Sequence, residues 1–172
     1  TLSGCLKFSD HCSKLAIKGF QLVNLIFKAF QCKNVDLFLT LYKSFVRSKL
    51  EYASEVWSPY LAKDINLLER VQRNFTKRLP GMSTLSYEER LGSVNLESLE
   101  ERRLRKDLVM VFKIITGLVE LDIPEFFTFS TYRATRGHSL KLSVESCRLN
   151  VRKYFFSNRI VNIWNSLPER VV

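Results

Sequence analysis

The amino-acid sequence predicts a mainly α-helical chain whose C-terminal region combines helix with a small α/β element. Three observations carry that prediction. Apolar residues recur at helical spacing from Ser9 to Gly117, two Ser-x-x-Glu capping boxes stand inside that span, and after Pro124 the pattern turns to strict alternation. At 172 residues the chain can bury a sizeable core, and 46% hydrophobic with 26% charged residues is a globular composition.

Residues 9 to about 31 read as one long helix, with Ser9 as its expected N-cap and Asp10 suited to the positive end of the helix dipole. On a helical wheel Leu15, Phe20, Val23, Ile26, Phe27 and Phe30 share one side. Lys14, Lys18 and Lys28 fall on the other, within an arc of roughly 80°. Asn34 should cap a second stretch from Val35 to about Trp57, with Leu37, Leu41, Phe45 and Val46 as its apolar stripe and a break near Ser48 left open. Ser58-Pro59 marks a stop and restart.

From about Lys63 to Leu79 the periodicity is cleanest. Leu68, Val71, Phe75 and Leu79 form the buried stripe, while Lys63, Arg70, Arg73 and Lys77 line the other face with Asn66 and Asn74. Pro80-Gly81 ends this helix. The capping boxes Ser86-Tyr87-Glu88-Glu89 and Ser98-Leu99-Glu100-Glu101 open a short helix and a longer one. The longer carries Leu104, Leu108, Val111, Phe112 and Ile115 and stops at Gly117. Its Arg102, Arg103, Lys106 and Lys113, partly matched by Glu100, Glu101 and Asp107, read as a solvated face. Beyond Pro124, period-two alternation around Phe127–Phe129, Leu140–Val144 and Leu149–Val151 predicts short strands. Helix returns over about Ser157 to Ser166 and ends at Leu167-Pro168.

Charge gives the first functional signal. The formal net charge is +10, and an excess of that size favours an anionic partner such as nucleic acid. The excess sits at the two ends. Residues 1–60 hold 8 basic and 4 acidic groups, residues 61–130 hold 11 of each, and residues 131–172 hold 8 and 2. The lysine face of the first helix and the basic face over Lys63–Lys77 both suit a surface lying along a phosphate backbone. Arg133, Arg136, His138, Arg152 and Lys153 mark a third basic stretch, with His138 in an Arg136-Gly137-His138 loop where phosphate contact is conceivable and a plain turn position equally so.

Enzyme chemistry has little support in the residues. The five aspartates, Asp10, Asp36, Asp64, Asp107 and Asp122, are isolated from one another, so no pair offers two-metal phosphoryl transfer. Phosphate-loop, dinucleotide, metalloprotease and nucleophile-elbow motifs are lacking. Glu88-Glu89 and Glu100-Glu101 are explained by their place in first helical turns. The four cysteines (Cys5, Cys12, Cys32, Cys147) and two histidines (His11, His138) lack metal-ligand spacing, which predicts free thiols in a reducing compartment and no cofactor. The segment Thr1-Leu2-Ser3-Gly4-Cys5 has no signal-peptide layout, and the most apolar run, Leu22 to Phe30, is interrupted by Asn24 and Lys28. An intracellular protein without a membrane partner is expected.

One set of residues is more specific than composition. Leu41-Tyr42-Lys43-Ser44-Phe45-Val46-Arg47 leads to Leu50-Glu51-Tyr52-Ala53-Ser54-Glu55-Val56-Trp57-Ser58-Pro59, and Asp64 to Arg73 and Thr76-Lys77 follow. Leu85 to Leu91, Leu99 to Arg103, Thr135-Arg136-Gly137-His138 and Phe156 to Pro168 continue in order. Together these segments closely resemble the thumb and post-thumb region of reverse transcriptases from non-LTR retrotransposons, the jockey-like LINE group. Ser48 and Glu97 depart from it, standing where proline is common.

The resemblance implies a helical thumb-like bundle over residues 1–81 and a post-thumb C-terminal region over 82–172. It implies an RNA, DNA or RNA–DNA partner held by the thumb helices. Fingers and palm would precede this region, and the palm would carry the paired aspartates and need magnesium. No Phe-Ala-Asp-Asp-like motif occurs in this chain. The expected function is thus a non-catalytic fragment of an RNA-directed DNA polymerase, in the nucleus and cytoplasm, gripping a template–primer duplex. Two alternatives stand beside it: a helical scaffold for protein interaction, and a transposon relic without function.

Overall fold

A computed structural model describes residues 8–30, 34–130 and 137–172. The chain is mainly α-helical and divides into two compact units, residues 1–103 and 104–172.

In the first unit, helix α1 (Ser9–Ala29) packs on α5 (Ala62–Lys77). The buried side of α1 is Cys12, Ala16, Gly19, Val23 and Ile26, so the small residues, rather than the Leu15–Phe20–Phe27–Phe30 side, form its centre. The reason is close approach. A Cβ on Gly19 would lie 2.9 Å from Val71 Cγ1 and 3.3 Å from Leu50 Cδ2, and only glycine lets the backbones come that near. Ser9 is not the N-cap; it is the first helical residue, and its hydroxyl donates to Asp64 Oδ2 at 2.6 Å.

The second helical stretch is α2 (Val35–Leu41), a π turn (Tyr42–Arg47) and α3 (Ser48–Glu51), running without interruption through Ser48. Asn34 caps it, accepting from the Leu37 amide at 3.0 Å. Phe38, Tyr42, Val46 and Leu50 form its buried row, each four apart, with Leu39 and Glu51 also buried beside it. In a pure α-helix that spacing drifts about 40° per step. The wider π turn offsets the drift and keeps all four inward. Leu37 and Phe45, expected in the stripe, face solvent at 36% and 55% exposure, Phe45 within the π turn itself, while the expected Val46 is buried. The break comes later, at Tyr52 and Ala53, where Ala53 takes a left-handed φ of 50° before α4 (Ser54–Trp57).

The stripe on α5 is as read: Leu68, Val71, Phe75 and Leu79 are at most 2% exposed. Both capping boxes form, at α6 (Tyr87–Ser93) and at α7 (Leu99–Ile115). A buried polar network joins these elements. Gln72 accepts from the Tyr42 hydroxyl at 2.8 Å and donates to the Tyr87 hydroxyl (3.0 Å) and the Glu97 carbonyl (2.8 Å). The Glu69 carboxylate accepts from Tyr87 and from the Leu99 amide, filling an orphan donor at the start of α7.

The basic cluster at the start of α7 is not a solvated face. Arg102 binds Glu51 with two hydrogen bonds, and Arg103 is 3% exposed. Burial lowers the Arg103 pKa, against the pull of Glu69 and Glu100.

The second unit is built around Val111, Ile114, Phe127, Leu142, Phe156, Ile160, Val161 and Trp164. Its short helices are α8 (Ile123–Phe126), α9 (Asn150–Lys153), α10 (Phe156–Arg159) and α11 (Val161–Asn165). No strand forms among the described residues. The expected α/β element is reduced to one antiparallel bridge, Phe129 with Leu142. The Asn165 side-chain amide takes the Leu142 N–H at 2.9 Å and donates to its carbonyl at 2.8 Å, which fills the edge of Leu142 away from Phe129, where a third strand would pair. Asp107 on α7 is 4% exposed and receives two N–H donors from Arg159, at 2.8 and 2.9 Å.

Candidate nucleic-acid interface

The lysine face of α1 follows from the packing just described. With Cys12, Ala16, Gly19 and Val23 held inward, helical geometry leaves Lys14, Lys18 and Lys28 on the outer side, and all three are exposed. Gln21 shares that side, as do Ile17 and Leu25, which are 58% and 60% exposed. Asp10 stands one turn before Lys14 at the edge of the face.

A further cation joins this surface. Arg78, the residue closing α5, donates to Asn24 Oδ1 at 2.6 Å and lies 4.2 Å over the Phe27 ring. Asn24 is one helical turn before Lys28, so the guanidinium sits beside the C-terminal end of the lysine face. Its place was not legible in the sequence, because Arg78 follows the helix and its hydrogen-bond partner Asn24 lies 54 residues away.

On α5, Lys63, Arg70, Arg73 and Lys77 are also exposed. This second face is compromised at one end. Arg73 is stacked over Tyr87 at 4.5 Å, and it borders an open groove with Glu69, Glu88, Glu100 and Glu101 in its lining. A phosphate near Arg73 would meet those carboxylates, whereas on α1 the outer face carries Asp10 alone among acidic residues.

The third stretch is dispersed. Arg133 and Arg136 lie outside the described residues. His138 is 3% exposed; its Nε2 donates to the Trp164 carbonyl at 2.9 Å and its ring meets the indole edge-on at 5.5 Å. It packs as a core residue and presents no surface to a phosphate. Arg152 pairs with Glu145 at 2.8 Å, and Lys153 is exposed beside Tyr154.

Two groups that could do other chemistry are shifted by the fold. Burial pushes the Cys12 thiol up to about 11, with the Asp64 carboxylate adding to the rise. Accepting from Ser86 holds the Glu89 carboxyl below its usual range. Among the described residues no three His, Cys, Asp or Glu side chains gather as metal ligands, and no helix is long and apolar enough to cross a membrane. Cys12 and Cys147 are free thiols, and Cys5 and Cys32 lie outside the described residues.

No family model matches the chain, and no solved structure matches it. An uncharacterized Caenorhabditis elegans protein, B0403.1, is 28% identical over 115 residues, covering 65% of this chain. The matched region spans 58% of that relative's length.

Proposed function

We propose that the chain is a non-catalytic, nucleic-acid-gripping part of a non-LTR retrotransposon reverse transcriptase, holding an RNA or RNA–DNA duplex by its phosphates. The observation that carries the reading is the outer face of α1, where Lys14, Lys18, Lys28 and the docked Arg78 form one cationic surface. The resemblance supports it from the sequence side, since the thumb position in that family corresponds to this helix. Many resembling residues are occupied inside the fold: Glu51 by Arg102, Tyr87 by Glu69, Arg159 by Asp107 and Asn165 by Leu142. The resembling blocks therefore bear on architecture, and the lysine surface bears on binding. The polymerase active site would lie on other segments of the parent protein, in a palm with its own magnesium ions.

The test is equilibrium binding of the purified chain to duplexes of unrelated sequence over a range of salt. Similar affinities, with a log–log salt slope of several units, are the expected outcome. Absence of binding at low salt would refute the reading. A second reading, a scaffold for another protein, is favoured by one observation: Ile17 and Leu25 expose apolar surface between the lysines. Binding to a protein partner with no response to duplex would establish it instead.

A further inference from the structure

The π turn has a consequence for the surface as well as for the core. By turning Phe38, Tyr42, Val46 and Leu50 inward it leaves Phe45 55% exposed, although α-helical periodicity places that ring in the stripe. Seven residues on, Tyr52 is 80% exposed. Its backbone is fixed there: the Trp57 indole donates to the Tyr52 carbonyl at 2.8 Å, and Ala53 turns the chain with a left-handed φ. Lys49 stands between the two in sequence, exposed, with Ser48 beside it. Phe45 stands in the π turn, Lys49 in α3 one turn on, and Tyr52 is the residue that closes α3, so the three follow one another at the exposed end of this helical stretch.

Lys43, Arg47 and Lys49 put a basic excess on this segment, with the partly exposed Glu97 packed nearby beside Arg102. From Leu37 to Val56 the acidic residues are Glu51 and Glu55; Glu51 is buried against Arg102 and Glu55 is half-buried. Neither Phe45 nor Tyr52 makes a ring contact among the described residues. Two outward aromatic faces with a cation between them in sequence match unpaired bases joined by phosphates, because stacking takes any base and the lysine takes the backbone. π turns also recur at functional positions.

We infer that Phe45, Lys49 and Tyr52 form a stacking platform for a single-stranded segment of RNA or DNA. The inference rests on nucleic acid being the partner, as proposed above, and adds where bases freed from the duplex are received. It is separable from the phosphate grip, since α1 contributes no residue to the platform.

The experiment compares a blunt duplex with the same duplex bearing a single-stranded extension that contains 2-aminopurine. The proteins are the wild-type chain, the Phe45→Ser/Tyr52→Ser variant and the Phe45→Tyr/Tyr52→Phe variant. The extension should tighten wild-type binding and change the probe's fluorescence. The double serine variant should lose about tenfold or more of that affinity with no change in salt slope, and the conservative variant should keep it. Both rings are exposed, so circular dichroism should match wild type. If the extension adds nothing, or the serine variant keeps the gain, the platform is refuted while blunt-duplex binding leaves the grip standing. Binding to the extension without binding to the blunt duplex would overturn the grip and keep the platform. Equal loss on both ligands, or capture of a protein by this patch without response to the strand, would refute the platform.

Discussion

Gln72 is fully buried on α5 and spends its amide on Tyr42, Tyr87 and Glu97. Replacing it with Leu leaves the Tyr42 hydroxyl and the Glu97 carbonyl without their partner, and each unsatisfied buried group costs about 1–3 kcal/mol. Gln72→Leu should therefore lower unfolding stability by about 2–4 kcal/mol in urea melts. The Asp107–Arg159 pair makes a sharper case. Arg159→Met strands a buried carboxylate and should cost about 3–5 kcal/mol, and adding Asp107→Leu should restore most of it. Equal losses in the single and double variants would show that the cost came from packing. Thiol chemistry gives a third check. Burial and Asp64 keep Cys12 protonated at neutral pH, so on the native protein a maleimide should label Cys147 before Cys12 and reach Cys12 only on unfolding. None of these roles was legible beforehand. A polar residue in an amphipathic helix reads as solvent-facing until its partner is known, and Gln72 and Tyr42 are 30 residues apart. Arg103 and His138 were misread for the same reason.

At the level of elements, periodicity and capping were enough to place α1, α5, α6 and α7 to within a few residues, because each helix signals its own start, stripe or stop. Two features lay outside that logic. The π turn breaks the period on which a wheel depends, and so Phe45 was placed inward with the buried Val46, while Tyr42 and Leu50 were not. The strand signals came to one bridge, Phe129 with Leu142, and on the outer edge of Leu142 a side chain, Asn165, stands where a third strand would pair. Glycines test the packing directly. Gly19→Val forces atoms into Val71 and Leu50 and should cost about 2 kcal/mol or more, an overpacking effect. Gly92→Ala, exposed within α6 with nothing within 4 Å of its added Cβ, should gain about 0.5–1 kcal/mol. Matching shifts in melting temperature for the two would mean that α1 and α5 are not in close approach.

Across the whole molecule, net charge was legible in the sequence and its disposition only in part. The +10 excess is read from composition alone, and the α1 wheel gave Lys14, Lys18 and Lys28, which are all exposed. Arg78 was missed, His138 is a core residue, and the α5 face ends beside an acidic groove. The central claim is that the duplex lies along α1. It is tested most directly by the salt dependence of duplex binding for Lys14→Gln/Lys18→Gln/Lys28→Gln, whose substitutions leave the buried side of the helix untouched. If the three lysines meet phosphates, the slope of log affinity against log salt falls in magnitude by roughly 2 to 3 units, and it does so alike for unrelated sequences. An unchanged slope, with the fold intact by circular dichroism, would contradict the claim.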